Sequence, residues 1–159
     1  MGKTAIPPRL PQPGEGKRGE EGYLGYLLRQ AAGAYRNRME HALSDLGVTP
    51  PQFSVLTMLA AYPGQSNADL ARLALLTPQT VSVIVANLGK AGLVSRQPHA
   101  IHGRIQHLDL TERGRALLAR ARERAHDVEH ALLHDLSARD EQAVRRWLVR
   151  VALAGDKTC

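Results

Sequence analysis

The chain has 159 residues, of which 43% are hydrophobic and 23% are charged, a composition typical of one globular domain. Its formal net charge of +6 permits an anionic partner, although residues 50–110 hold only four basic residues against two acidic ones. No apolar run approaches the length of a membrane span, no signal-peptide core opens the chain, and a lone Cys159 excludes an intrachain disulfide. We therefore expect a cytoplasmic protein with no membrane partner and no cofactor.

The N-terminal part of the chain predicts a tail followed by a long helix. Residues 1–20 are rich in proline, glycine and charge, which is typical of a disordered tail. The remainder, residues 21–154, is expected to fold. Across residues 23–46 the apolar positions recur at helical spacing, and Gly47 ends this helix.

The central part of the chain predicts three further helices. One begins near Pro51 and ends before Pro63. The sequence Ser66-Asn67-Ala68-Asp69 is a capping-box pattern that opens a short second helix. Thr77 and Pro78 open the third, with a hydroxyl at the N-cap and proline at the first helical position, where its missing N–H costs nothing.

The helix that begins at Thr77 has two different faces. Its apolar residues recur at the spacing of one buried face, namely Val81, Ile84, Val85 and Leu88. Four others point outward, namely Gln79, Thr80, Ser82 and Val83. Gly92 ends the helix. A helix pair with a small polar outer face, followed by a wing, is suited to enter the major groove of DNA.

The rest of the chain predicts a hairpin and two helices. A strand begins at Leu93, and residues 105–110 alternate between two unlike faces, as in a second strand. Thr111 caps a long helix that runs to about Asp135. A second capping-box pattern at Ser137-Ala138-Arg139-Asp140 opens the last helix.

These elements predict a mainly α fold with a small β-hairpin wing, that is, a winged helix-turn-helix with additional terminal helices. The DNA-binding unit falls at about residues 50–110. The terminal helices, at about residues 23–46 and 111–153, carry more apolar surface than this unit can bury, so we expect them to form a dimerisation region. A two-fold homodimer would present two recognition helices about 34–36 Å apart, the spacing of successive major-groove turns.

Several segments, in order, resemble the MarR family of transcriptional regulators, and the resemblance spans roughly residues 23–153. The matching segments are Leu24–Ala32 (LGYLLRQAA), Leu46–Leu59 (LGVTPPQFSVLTML), Asn67–Val94 (NADLARLALLTPQTVSVIVANLGKAGLV) and Leu108–Leu118 (LDLTERGRALL). The resemblance implies a homodimer that grips a palindromic operator in double-stranded DNA. It also implies repression that ends when a small, often aromatic, effector binds.

The sequence departs from the family pattern at three places. The acidic residue that usually stands two positions before the wing arginine is replaced by His102, ahead of Arg104. The recognition helix lacks the arginine that the family often carries at the position of Val83 or near Asn87. The redox-sensing cysteine near the N-terminus is absent, which weighs against oxidant sensing.

The candidate DNA-binding residues lie on the recognition helix and the wing. They are Thr77, Pro78, Gln79, Thr80, Ser82, Val83, Asn87 and Arg104. Gln79 can make a bidentate contact to adenine and Val83 can pack on a thymine methyl. Arg104 suits a narrow minor groove, with a phosphate contact or a free surface arginine as the alternatives. Arg72 and Arg96 are candidate phosphate contacts, with structural ion pairs as the alternative.

A second motif consists of His126, His130 and His134, which recur once per helical turn. Two histidines one turn apart can chelate zinc. These three lie opposite the apolar stripe of their helix, however, so a solvated face is the favoured interpretation and no metal site is predicted. The residues that would hold an effector are left unassigned.

Other functional classes have less support. The sequence contains no glycine-rich phosphate loop, nucleophile elbow or HExxH zinc motif, so an enzyme is not predicted. The main alternative is an architectural DNA-binding protein that senses nothing. Its recognition would be largely electrostatic, which the nearly uncharged recognition face disfavours. A protein–protein adaptor that reuses the fold would bind no DNA at all.

Overall fold

The computed structural model describes residues 9–98 and 106–155. Its elements are helices α1 (Leu24–Leu43), α2 (Pro50–Ala61), α3 (Asn67–Leu73) and α4 (Pro78–Lys90), strands β1 (Val94–Pro98) and β2 (Gln106–Leu110), and helices α5 (Glu112–Leu133) and α6 (Ala138–Gly155). The chain divides into two compact units, with the boundary between Arg38 and Met39. The predicted order of helices and strands is confirmed.

The first unit contains a structured turn before α1. A short 3-10 helix, Gly16–Arg18, follows Glu15. The Arg18 guanidinium donates to the Pro11 carbonyl at 2.7 Å, and the Gln30 amide donates to the Arg18 carbonyl at 3.1 Å. These contacts lie partly within the segment predicted as a disordered tail, and disorder of residues 1–20 in solution stays a prediction.

Local capping signals set the ends of α1 and α2. After α1 a 3-10 turn leads to Gly47, whose φ of 64° explains why glycine stands there. The predicted start of α2 near Pro51 lies one residue late, because Pro50 is the first helical residue. Thr49 and Gln52 form a full capping box around this start, each side chain bonding the other's backbone.

The second unit has one hydrophobic core, to which α2, α3, α4, both strands and α5 contribute. Its fully buried side chains include Val55, Leu56, Leu59, Leu70, Val81, Val85, Leu108 and Leu118. The predicted buried face of α4 is confirmed, since all four of its apolar residues are in this cluster. The core therefore fixes which face of α4 is left for solvent.

The two strands form an antiparallel hairpin in which Val94 pairs with Leu110 and Pro98 with Gln106. Leu108 and Leu110 are buried while His107 and Asp109 are only partly so, which confirms the predicted alternation. Gln65 forms an isolated bridge to Leu108. The hairpin is thereby tied to the segment before α3.

The apolar stripe of α5 is buried only along its first half. Leu118, Ala121 and Ala125 are buried, whereas Leu132, which the sequence places on the same stripe, is 42% exposed. On α6 five of the large apolar side chains are likewise exposed, namely Val144, Leu148, Val149, Val151 and Leu153. The single chain therefore leaves part of these two helices uncovered.

Across the described part of the chain, no single helix combines the length and apolar character needed to cross a membrane. Helices α3 and α4 taken together do pass on length and composition, but the chain bends by 111° between them.

Candidate nucleic-acid interface

Helices α3 and α4 form a helix-turn-helix. The 111° bend between them falls in the range of about 90–120° that this motif shows. The connecting turn passes through Leu75, which has a φ of 55°. Leu76 then packs against the core. The turn thus sets α4 across the end of α3 with its N-terminus at the surface.

The N-terminus of α3 is held by a polar cluster. The Ser66 hydroxyl accepts the Asp69 backbone N–H at 3.2 Å and donates to the Asp69 carboxylate at 2.6 Å. Arg72 adds an ion pair to the other carboxylate oxygen at 3.0 Å. The Ser66 hydrogen bond, helped by Arg72, lowers the pKa of the Asp69 carboxyl. The predicted capping position at Ser66 is confirmed.

The N-terminus of α4 is capped as the sequence predicts. Thr77 accepts the Thr80 backbone N–H at 3.1 Å, and Pro78 occupies the first turn. The hydroxyls of Thr77 and Thr80 also lie 2.8 Å apart and share a hydrogen bond. Both threonines therefore have a structural role in the cap, in addition to any contact with a ligand.

The outward face of α4 is where the sequence places it. Gln79, Thr80, Ser82, Val83 and Asn87 are all exposed. Val83 is 57% exposed although it is apolar. Within the described residues the Gln79 side chain has no hydrogen-bond partner. This outward face of α4 is uncharged and open to a macromolecular partner. Within the described residues, no other group occupies the hydrogen-bonding atoms of the Gln79 amide.

Asn67 is a contact residue that the sequence analysis did not single out. It is the first residue of α3, and its amide donates to the Ser82 hydroxyl at 3.5 Å. This long hydrogen bond joins the start of α3 to the outer face of α4. In the sequence, Asn67 is marked only by its position one residue after the Ser66 cap. That position does not indicate that Asn67 lies near Ser82.

The candidate arginines differ in how far the structure describes them. Arg72 forms the exposed ion pair with Asp69, and a structural ion pair is the alternative to a phosphate contact that the sequence offers for this residue. Arg96 lies on β1 and has an interaction partner. Arg104 and His102 lie outside the described residues, as does Cys159, so their proposed roles stay predictions.

The base of the wing is braced against α4 and α5. A Schellman motif ends α4, with the Leu93 N–H bonded to the Leu88 carbonyl at 2.9 Å and Gly92 at a φ of 70°. The Thr111 hydroxyl donates to the Gly92 carbonyl at 2.7 Å while accepting the Gly114 N–H at 3.0 Å. One side chain thus caps α5 and anchors the end of α4.

The histidine series on α5 is solvent-facing. The rings of His126 and His130 lie 6.3 Å apart between centroids, and His134 pairs with Asp135 at 2.9 Å. In the residues the structure describes, no group of three or more His, Cys, Asp or Glu side chains is placed to hold a metal ion.

A pocket of about 430 Å³ lies beside the C-terminal end of α4, also in the second unit. Leu88, Leu93 and Leu117 contribute apolar surface, and Arg113 and Arg120 also line the pocket. Neither guanidinium has a hydrogen bond or ion pair to another described residue. The pocket therefore combines apolar walls with two guanidinium groups that are not ion-paired within the described part of the chain.

Taken together, a helix-turn-helix with an exposed second helix and a hairpin directly after it define a winged helix-turn-helix protein. A family model described as MarR family matches residues 46–105. The HTH-type transcriptional repressor Rv2887 of Mycobacterium tuberculosis is 38% identical over 128 residues, which is 80% of this chain and 92% of that protein. The chain belongs to the MarR family of transcriptional regulators.

Solved structures agree with this assignment. The crystal structure of M. tuberculosis Rv2887 in complex with DNA has a TM-score of 0.67 at 36% identity, covering 82% of this chain and 98% of that one. The structure of the same protein in complex with salicylic acid has a TM-score of 0.67 at 37% identity, covering 83% and 98%.

Proposed function

We propose that this protein is a sequence-specific DNA-binding repressor that acts as a homodimer on a palindromic operator. The observation that carries the proposal is the outward face of α4, which is exposed, polar and uncharged, and is fixed by the core on one side and by the Thr77 cap at its start. Such a face gains little from phosphate attraction, so its binding energy would come from base edges. We propose no catalytic role for this protein.

In the proposed complex, each candidate residue has a distinct kind of contact. Gln79 reads adenine and Val83 packs on a thymine methyl, while Ser82 and Asn87 contact bases or phosphates further along the groove. Thr77, Pro78 and Thr80 lie at the helix N-terminus, which attracts phosphate oxygens. Arg104 enters the minor groove at the wing. Arg72 and Arg96 neutralise phosphates.

Arg72 can take this role despite its ion pair. The pair with Asp69 is exposed on both sides, and exposed pairs contribute only about 0–1 kcal/mol. A phosphate oxygen would therefore compete with Asp69 at little cost. Structures of Rv2887 in complex with DNA and of the repressor CouR bound to a DNA duplex support duplex DNA as the partner.

We further propose that a small aromatic acid relieves repression. Rv2887 has been solved in complex with salicylic acid and with p-aminosalicylic acid. In this chain the pocket beside Arg113 and Arg120 offers guanidinium groups for a carboxylate and leucine side chains for a ring. Asn87 and Leu88 of α4 line the same pocket, so a bound acid would touch the recognition helix directly.

Selection of bound duplexes from a random pool tests the DNA part of the proposal. We expect a palindromic consensus, with the selected duplex bound far more tightly than random duplex at each of several salt concentrations. A preference ratio near one would instead indicate an architectural protein, and absence of binding would indicate an adaptor. Repeating the measurement with salicylate and related acids tests release, which should weaken operator binding without changing the consensus.

A further inference from the structure

Leu75, in the turn between α3 and α4, combines a strained backbone with an exposed apolar side chain. It follows Ala74, the C-cap of α3, and has a φ of 55°, the only positive φ of a non-glycine residue in the described chain. The Leu76 N–H bonds the Ala71 carbonyl at 3.0 Å and the Leu75 N–H bonds the Arg72 carbonyl at 3.4 Å. This is a Schellman motif with leucine at the position that favours glycine.

The conformation at Leu75 costs free energy that glycine would not cost. A left-handed backbone brings the Cβ of an L residue close to the following carbonyl oxygen, and a γ-branched side chain offers no local hydrogen bond to offset this. The comparable position at the end of α4 holds Gly92, with a φ of 70°. The same chain therefore uses glycine where only the backbone matters.

Burial does not offset the cost either. Leu75 is 91% exposed, the highest value among the large hydrophobic side chains described. Its neighbour Leu76 packs against the core cluster, so the turn is anchored without it. Neither packing nor backbone geometry explains the choice of leucine, and a strained residue with no structural role points to a function.

The location of Leu75 narrows that function. It stands two residues before Thr77, the N-cap of α4, and is thus within about 7 Å of it along the chain. When a recognition helix docks, its N-terminal residues enter the major groove while the preceding helix crosses the backbone. The turn between them then faces the sugar–phosphate strand that borders the groove.

We propose that Leu75 is a DNA-contact residue that packs on deoxyribose carbons at the edge of the major groove. The inference rests on the proposed DNA-binding function and adds to it an apolar backbone contact outside the recognition helix. Contacts to sugars fix the position of the protein on the duplex but carry no sequence information. Leu75 therefore raises affinity for specific and random DNA alike.

The test compares three variants by fluorescence anisotropy on the selected duplex and on random duplex over a range of salt. Leu75→Gly and Leu75→Ala should each bind both duplexes about fivefold to tenfold more weakly, the effect of losing a partly buried leucine contact. The ratio between duplexes and the salt slope should stay unchanged, because no base contact and no charge is removed. Leu75→Met should bind as the parent does.

Two further measurements separate binding from folding. Leu75→Gly should melt at or above the temperature of the parent, since it relieves the positive φ. Leu10→Ala removes another leucine that is 78% exposed and should leave binding unchanged. Unaltered binding by both truncations, a loss confined to one base position, or a lower melting temperature for the glycine variant would each overturn the inference.

Failure of the broader proposal would look different. If the parent protein itself bound no duplex, both proposals would fall together. If the parent bound its operator and the Leu75 variants matched it on both duplexes, only the role of Leu75 would be lost.

Discussion

Gln79 is the outward residue of α4 with the greatest capacity to distinguish one base from another. Its amide offers a donor and an acceptor in the geometry that adenine presents in the major groove, and among the described residues nothing within the protein competes for it. Sequence specificity at one operator position should therefore depend on this single side chain.

Replacing Gln79 with alanine should relax specificity at one base position. The discrimination lost there should be about 1–3 kcal/mol, the usual value of a bidentate base contact, while affinity for random duplex changes little. Binding to a set of single-base operator variants measures the effect, with Gln12→Ala as a matched control in the N-terminal segment. A variant that ranks every operator as the parent does would refute the contact.

Asp69 supplies a prediction about pH. Because its pKa is lowered in the folded protein, chiefly by the Ser66 hydroxyl, its ionised form stabilises the fold at pH values above the unfolded pKa of about 3.9. That contribution is lost as the pH falls through the lower, folded pKa. The side chain is exposed enough that the contribution is small.

In Ser66→Ala the pKa of Asp69 should rise toward its usual value, and the acid-dependent loss of stability assigned to Asp69 should shrink. The lost cap should also cost about 1 kcal/mol at neutral pH. A carboxyl-carbon NMR titration follows the pKa, and urea unfolding at two pH values follows stability. Ser66→Thr keeps the hydroxyl and should preserve both; an unmoved Asp69 titration in the alanine variant would contradict the assignment.

At the scale of elements, the junction between β1 and α5 depends on a close backbone approach. A Cβ built on Gly114 would lie 2.0 Å from the Leu93 carbonyl oxygen, a distance that no side chain can occupy. The same Leu93 carbonyl accepts the Thr111 N–H at 3.1 Å. Glycine at 114 therefore allows the start of α5 to pack against the base of the wing.

Gly114→Ala should consequently destabilise the protein by about 1–3 kcal/mol, the usual cost of overpacking. Gly89, in α4, is the matched control, since its built Cβ comes no nearer than 3.9 Å to the Val94 carbonyl oxygen. Gly89→Ala should raise stability by up to about 1 kcal/mol through helix propensity. Equal effects of the two substitutions in chemical unfolding would show that the approach at Gly114 is not limiting.

The elements that the sequence predicted well are those whose ends are set by local hydrogen bonds. Ser66, Thr77 and Thr111 cap their helices through groups three residues away, so the pattern is contained in four consecutive letters. The capping box of Thr49 and Gln52 has the same form, and this pattern in the sequence indicates the correct start of α2. The buried face and the outward face of α4 were predicted from helical periodicity alone.

What the sequence did not reveal depends on contacts between distant residues. Nothing near Gly114 indicates that Leu93 lies against it, and nothing near Asn67 indicates Ser82. The left-handed backbone at Leu75 was not predicted for another reason. Leucine rarely adopts that conformation, so a leucine in the sequence does not indicate it. The residues that form the pocket beside Arg113 are likewise spread over several elements.

At the scale of the whole molecule, the exposed apolar side of α6 requires an explanation. Val144, Leu148 and Val151 lie on one face of this helix by their spacing, and each is more than 40% exposed. An apolar stripe of this kind on a single chain marks a surface that another molecule covers. The proposed homodimer supplies that molecule, and it also sets the distance between two recognition helices.

Leu148→Lys places a charge in the middle of this face and should convert the dimer to a monomer, because a buried, unpaired ammonium is strongly unfavourable. Light scattering after size exclusion measures the mass, and helical circular dichroism checks that the variant still folds. Operator affinity should fall steeply, since one recognition helix then binds one half-site alone. Gln142→Lys adds the same charge on the opposite face of α6 by its spacing and should leave the dimer intact. A Leu148→Lys protein that stays dimeric and binds its operator would move the dimer contact elsewhere on the chain, and the proposed pairing of recognition helices through α6 would have to be abandoned.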